Sequence, residues 1–115
     1  MTIASAFEVG ETVGTTEWSF TTDTAGPDAQ TTAGVYQFFV DLNVLATGDV
    51  FVLRVYDKVL AAGTQRLVWK ATLAGAQNEP CYVTPTLILL HGWDITLQKV
   101  SGTDRLIQVS TRSIT

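Results

Sequence analysis

The sequence predicts an all-β domain, a jelly-roll-like β-sandwich of about eight antiparallel strands. Three observations carry that expectation. Apolar and polar residues alternate with a period of two through most of the chain, which sets one face of an extended strand against a core and the other toward water. Of the 115 residues, 36 are Thr, Val or Ile, side chains that suit strands and lose rotamer freedom in helices. Turn residues separate the alternating segments at roughly 8–12-residue spacing, the rhythm of sandwiches and barrels. No segment keeps a helical period over three turns.

Residues 3–9 and 15–22 read as an N-terminal strand pair around Gly10 and Gly14. Residues 23–34 carry no apolar stripe and read as a long crossover between sheets, a loop class that often has a function. In residues 35–42, Tyr36, Phe38, Val40 and Leu42 share one face while Gln37 and Asp41 take the other. Residues 49–60 place Phe51, Leu53, Val55 and Val59 inward, with Arg54 and Lys58 opposite. Residues 64–73 repeat the scheme, with Leu67, Trp69, Ala71 and Leu73 inward. The short link Ala61-Ala62-Gly63 joins these two strands as a β-hairpin. Residues 81–90 are apolar but flanked by Pro80 and interrupted by Pro85, which cannot donate to a ladder; this predicts an edge strand bent at Pro85. Residues 93–100 turn Trp93, Ile95 and Leu97 inward. Residues 101–104 form a turn, and residues 105–112 close the domain.

A chain of 115 residues and 12.4 kDa reads as a single domain, 1–115, able to bury about two thirds of its unfolded surface. Charged residues are 16% of the chain, below the usual ~25%, and threonine covers much of the polar surface instead. A net charge of −4 argues against nucleic acid as a partner, because phosphate binding needs a basic stripe. One cysteine excludes an intrachain disulfide and a cysteine-based zinc site. The chain has no run of apolar residues long enough for a membrane helix, and its first ten residues do not read as a secretory signal.

Catalytic signals are weak. His91, the single histidine, stands near Asp94 in Leu-Leu-His-Gly-Trp-Asp, a spacing in which an acid can orient a general base. No nucleophile elbow accompanies it, so a turn is the expected role. Cys81 beside Pro80 reads as a core residue. Asp23 and Asp28 share a loop but lack the calcium-loop pattern. Trp18, Trp69 and Trp93 with Tyr36, Tyr56 and Tyr82 would make a sugar-stacking platform if exposed, but Trp69 and Trp93 fall in the apolar register of their strands. No catalytic, cofactor or metal site is expected.

Several apolar residues fall where alternation calls for polar ones. Val35 and Phe39 flank Gln37, and Val68 lies among Arg66, Lys70 and Thr72. With Ile3 and Phe7 from the N-terminal segment, Trp18, and Asp23, Pro27 and Asp28 from the loop, they form the candidate interface. Residues 1–9 are expected to act as an arm. The arm and the loop 23–34 carry few charges and much Thr, Ala and Ser, so both can lie on another protein at little desolvation cost, with strand addition supplying backbone partners.

The segments Ala6-Phe-Glu-Val-Gly10, Thr21-Thr-Asp-Thr-Ala-Gly-Pro27, Gly34-Val-Tyr-Gln-Phe38, Gly48-Asp-Val-Phe-Val-Leu-Arg-Val-Tyr-Asp-Lys58 and Gly63-Thr-Gln-Arg66 together resemble small acidic jelly-roll proteins of tailed bacteriophages. Similar proteins serve as capsid decoration, or cement, proteins. The resemblance implies a homotrimer on the outer surface of the virion shell, made in the host cytoplasm, with the major capsid protein and itself as partners. It implies no enzyme activity, no cofactor and no membrane. The alternatives are a carbohydrate- or receptor-binding module and a head–tail or tail component.

Overall fold

The computed structural model describes residues 2–114. Ten strands follow in order: β1 (Ile3–Val13), β2 (Trp18–Ser19), β3 (Thr24–Ala25), β4 (Gly34–Asp41), β5 (Val50–Asp57), β6 (Arg66–Ala74), β7 (Cys81–Val83), β8 (Leu87–Leu89), β9 (Asp94–Ser101) and β10 (Arg105–Ile114). They build two antiparallel sheets. Sheet A runs β1-β10-β4, with β7 and β8 end to end along β4; sheet B runs β3-β2-β9-β5-β6.

Ten strands replace the expected eight or so for two local reasons. Thr84-Pro85-Thr86 splits one edge strand into β7 and β8, as a proline that cannot donate to a ladder should, and β3 is a two-residue addition beside β2. With β7 and β8 taken as one strand and β3 set aside, the chain passes from sheet to sheet in the jelly-roll order. The hairpin β5–β6 is the single step that stays within one sheet.

Alternation builds the core. Tyr36, Phe38, Val40 and Leu42 from one sheet meet Phe51, Leu53, Val55, Ile95 and Leu97 from the other, and all are buried. Trp93 sits between the sheets, 4.5 Å from the Tyr36 ring and 6.2 Å from Phe38. At ~25 cal/mol per Å² of apolar surface removed from water, rings of this size dominate the burial energy.

Several expectations fail locally. Residues 3–9 and 15–22 do not pair: β1 runs through Gly10 as one strand along β10, and β2 lies in the other sheet. Val59 is 85% exposed, because β5 ends at Asp57, whose buried carboxylate accepts the amides of Lys58, Leu90 and His91. Leu67 is exposed, because Val68 is an extra residue with no partner on β5: Val55 pairs with Trp69 and Tyr56 with Leu67. A bulge of this kind reverses the facing of everything beyond it. Cys81 is exposed on the short edge strand rather than in the core.

Candidate interaction surface

The outer faces of the two sheets differ. On sheet B the long segment 23–34 folds back against β2 and the Trp93–Asp94 end of β9 and satisfies polar groups there. Asp94, fully buried, accepts the Thr21 hydroxyl at 2.7 Å and the Asp28 amide at 2.7 Å. Gln30 exchanges backbone hydrogen bonds with Trp93, and the carbonyl of Thr32 accepts both the Tyr36 hydroxyl and the Trp93 indole N–H. The Trp18 indole donates to Asp23 at 2.8 Å. The segment is therefore the expected crossover, tied down at four points. Beside it, Glu17 accepts the hydroxyls of Tyr56 and Thr96, each at 2.5 Å. Burial, then the Glu17 carboxylate, pushes the Tyr56 hydroxyl up to about 12.

Sheet A has no such cover among the described residues. Register places Ile3 of β1 beside Ile114 of β10, Ile114 beside Val35 of β4, and Val35 beside Ile88 of β8. Residues directly opposite on antiparallel strands share a face, so four β-branched side chains form one row across four strands. Ile3 is 72% exposed, Ile88 81% and Ile114 41%. Toward the middle of the sheet the Arg112 guanidinium lies 3.7 Å above the centre of the Phe39 ring. A depression of about 230 Å³ opens between Ile3, Val35, Gln37, Phe39, Arg112 and Ile114. Further along, Glu8, Gly10, Asp41, Cys81 and Gln108 line a second, more polar depression of about 440 Å³. The Asp57 carboxylate holds Leu90 and His91 against the end of β5, so exposed Leu90, Val59 and Leu60 lie at the same end as Ile3 and Ile88.

Of the candidate interface residues, Ile3, Val35 and Phe39 converge on this face. Phe7 does not. The β1–β10 register shifts between Ser5 and Phe7, so Phe7 turns inward and packs against the core. Trp18 is 4% exposed and belongs to the core. Asp23, Pro27 and Asp28 belong to the crossover on sheet B, and Val68 sits at the bulge on that sheet's far edge; the fold does not bring them to sheet A. Met1, the first residue of the expected arm, lies outside the described residues, while residues 3–9 are part of β1. Sequence reasoning missed Ile88, Ile114 and Arg112. Ile114 had a signal, since Arg112-Ser113-Ile114 continues the alternation of β10 beyond its assigned end. Ile88 lies in the unbroken run Leu87-Ile-Leu-Leu90, which carries no period.

The His91–Asp94 pair that the sequence offered does not form, and Trp69 and Tyr82, partly buried, stand 6.4 Å apart at their ring centres. The oxygens of Asp94 are taken by Thr21 and Asp28, and His91 contributes its backbone amide to Asp57. Trp18 and Trp93 are buried and offer no stacking face to a sugar. Among the described residues no group of three or more His, Cys, Asp or Glu side chains is placed to hold a metal ion. No protein-family model, curated protein or solved structure matches the chain.

Proposed function

We propose that the protein is a structural virion protein: a capsid decoration protein that self-associates, as a trimer, and stabilises a phage shell from outside. The outer face of sheet A is its contact with the major capsid protein. The observation that carries this reading is the contrast between the two outer faces. Sheet B carries the chain's own crossover at its Trp93–Asp94 end and a polar network of Glu17, Tyr56 and Thr96, and its exposed Leu67, Val68 and Val100 share no row, whereas sheet A leaves an in-register row of Ile3, Ile114, Val35 and Ile88 open. A flat apolar strip suits attachment to another protein's surface, where no cleft is required. Because the crossover 23–34 is engaged by Trp18, Tyr36, Trp93 and Asp94, the grip expected of that loop passes to sheet A.

Full burial of an exposed Ile contributes ~1.5–3 kcal/mol, so several such contacts in each copy, multiplied across an oligomer, give tight attachment without any single dominant residue. The test is co-sedimentation of the purified protein with shells that lack it. Saturable binding at regular stoichiometry supports the reading, and a protein that stays in the supernatant at every concentration refutes it.

A further inference from the structure

The four sheet edges are not treated alike. Exposed edges invite pairing with other chains, and proteins blunt them with short strands, prolines, bulges and cations. On sheet B, β3 is two residues long, and β6 carries the Val68 bulge with Arg66 and Lys70 beside it. On sheet A, β7 and β8 are three residues each and separated by Pro85. The fourth edge, β1, is eleven residues long and contains no Pro, Lys or Arg. Beyond its register shift it runs without interruption from Phe7 to Val13.

The groups on that open edge can be assigned. The Thr12 amide donates to the Glu11 carboxylate at 3.0 Å, so it points away from β10 into the open edge. Backbone groups alternate sides along an antiparallel strand, so the N–H and C=O of Glu8, Gly10 and Thr12 all face outward. Gly10 is the midpoint of the stretch from Phe7 to Val13.

We infer that β1 is a self-association edge, on which the β1 strand of a second copy pairs antiparallel about a two-fold axis at Gly10. In this register Gly10 meets Gly10 of the second copy, and Glu8 meets Thr12 of the second copy. Every outward-facing residue then opposes another outward-facing residue, the condition for each pair to exchange two hydrogen bonds. Charge and the bounds of β1 select the same register, since an axis at Thr12 would carry the pairing past Val13. Axes at Glu8 or Glu11 oppose two carboxylates, and an axis at Val9 carries the pairing into the irregularity before Phe7. The occupant is therefore a second copy of this chain: the unbroken stretch is self-complementary about its own midpoint. The two sheets A join into one continuous sheet. An isologous contact closes at two copies, so it links protomers pairwise, beyond any contact that builds a trimer. The inference does not rest on shell binding.

Sedimentation of the full chain from micromolar to sub-millimolar concentration tests this with two variants. Gly10→Pro removes an amide that β10 does not use, a position where edge strands tolerate proline. Gly10→Lys sets two cations at the axis and keeps every amide. The expected result is pairwise association of the wild type, seen as doubling of the smallest species, with at least a tenfold weaker pair in both variants and unchanged circular dichroism. Absence of doubling in the wild type overturns the inference, as does doubling that persists in Gly10→Lys. Loss of shell binding with pairing intact bears on the decoration reading alone.

Discussion

Two buried threonines, one in sheet A and one in the break between β7 and β8, should respond to the same substitution with opposite sign. Thr111 on β10 is fully buried opposite Phe7 and Phe38, and its hydroxyl oxygen has no hydrogen-bond partner among the described residues. In the unfolded chain that hydroxyl is hydrated. Stripping it on folding without compensation costs ~1–3 kcal/mol. Thr111→Val keeps the shape, removes that cost and buries one more methyl, worth ~0.8 kcal/mol. Fitting the slightly larger group against two rings takes back ~1 kcal/mol or more. The net expectation is a gain of ~1–2 kcal/mol. For 115 residues, an unfolding entropy near 2.1 cal/mol/K per residue translates that into a rise in Tm of roughly 4–8 °C. Thr84, 1% exposed, is the control. Its hydroxyl accepts the Phe38 amide at 3.0 Å and donates to the Pro85 carbonyl at 2.9 Å, so Thr84→Val should lose ~1–3 kcal/mol. Thermal and urea unfolding followed by circular dichroism measure both. A destabilised Thr111→Val would refute the reasoning, since it would mean that the hydroxyl is satisfied.

Further expectations follow from the turns and from two titrating groups. Gly102 has φ 92°, and a Cβ there would lie 2.3 Å from Asp49 Oδ1 and 2.6 Å from Asp49 Cα. Gly102→Ala should therefore cost ~2–4 kcal/mol, while Gly48→Ala, at φ 94° but in open space, should cost ~1–2 kcal/mol; urea midpoints separate the two. The Asp49 carboxylate accepts the amides of Thr103 and Ala46 and pairs with Arg105, and these bonds, Thr103 first, hold it at about 2, below its ordinary 3.8. A depressed folded value stabilises above the unfolded one, so part of the stability should disappear as pH falls from about 4 to about 2, and Asp49→Asn should flatten that acid limb. Tyr56 is raised from 10.0 to about 12, so its contribution is complete below pH 10 and is lost as pH climbs toward 12. Burial raises the Tyr36 hydroxyl as well, so phenolate absorbance should show two tyrosines titrating above the ordinary value, and Glu17→Gln should bring Tyr56 down.

The sandwich was legible because period-two alternation in β4, β5 and β9 matches a core with one sheet on each side, whereas the jelly-roll order of its strands is set by topology. Tyr36, Phe38 and Val40, and then Phe51, Leu53 and Val55, face inward as their spacing demands. The misreadings cluster at irregularities that periodicity cannot encode. The register shift before Phe7 turns that ring inward, and Val68 turns Leu67 outward. Gly10 looked like a turn, but a glycine is also tolerated within an edge strand whose outer side is unpaired. The long loop showed as a break in pattern, yet its anchoring to Asp94 and Trp93 depends on side chains more than sixty residues away in sequence. The candidate surface was half legible. Val35 and Phe39 stood out against a polar face, whereas the row that Val35 completes needs the pairings β1–β10, β10–β4 and β4–β8, which are set by topology.

Occupancy on shells that lack the protein, compared for the wild type, Ile88→Asp and Val68→Asp, tests the assignment of the docking face most directly. Both positions are exposed, at 81% and 50%, so both variants should fold. Ile88→Asp places a charge on the most exposed side chain of the proposed contact, at the β8 end of the row, and should lower apparent affinity at least tenfold, the equivalent of ~1.4 kcal/mol, while Val68→Asp on the edge of the other sheet should bind like the wild type. Equal occupancy of Ile88→Asp and wild type, or loss confined to Val68→Asp, would contradict the account.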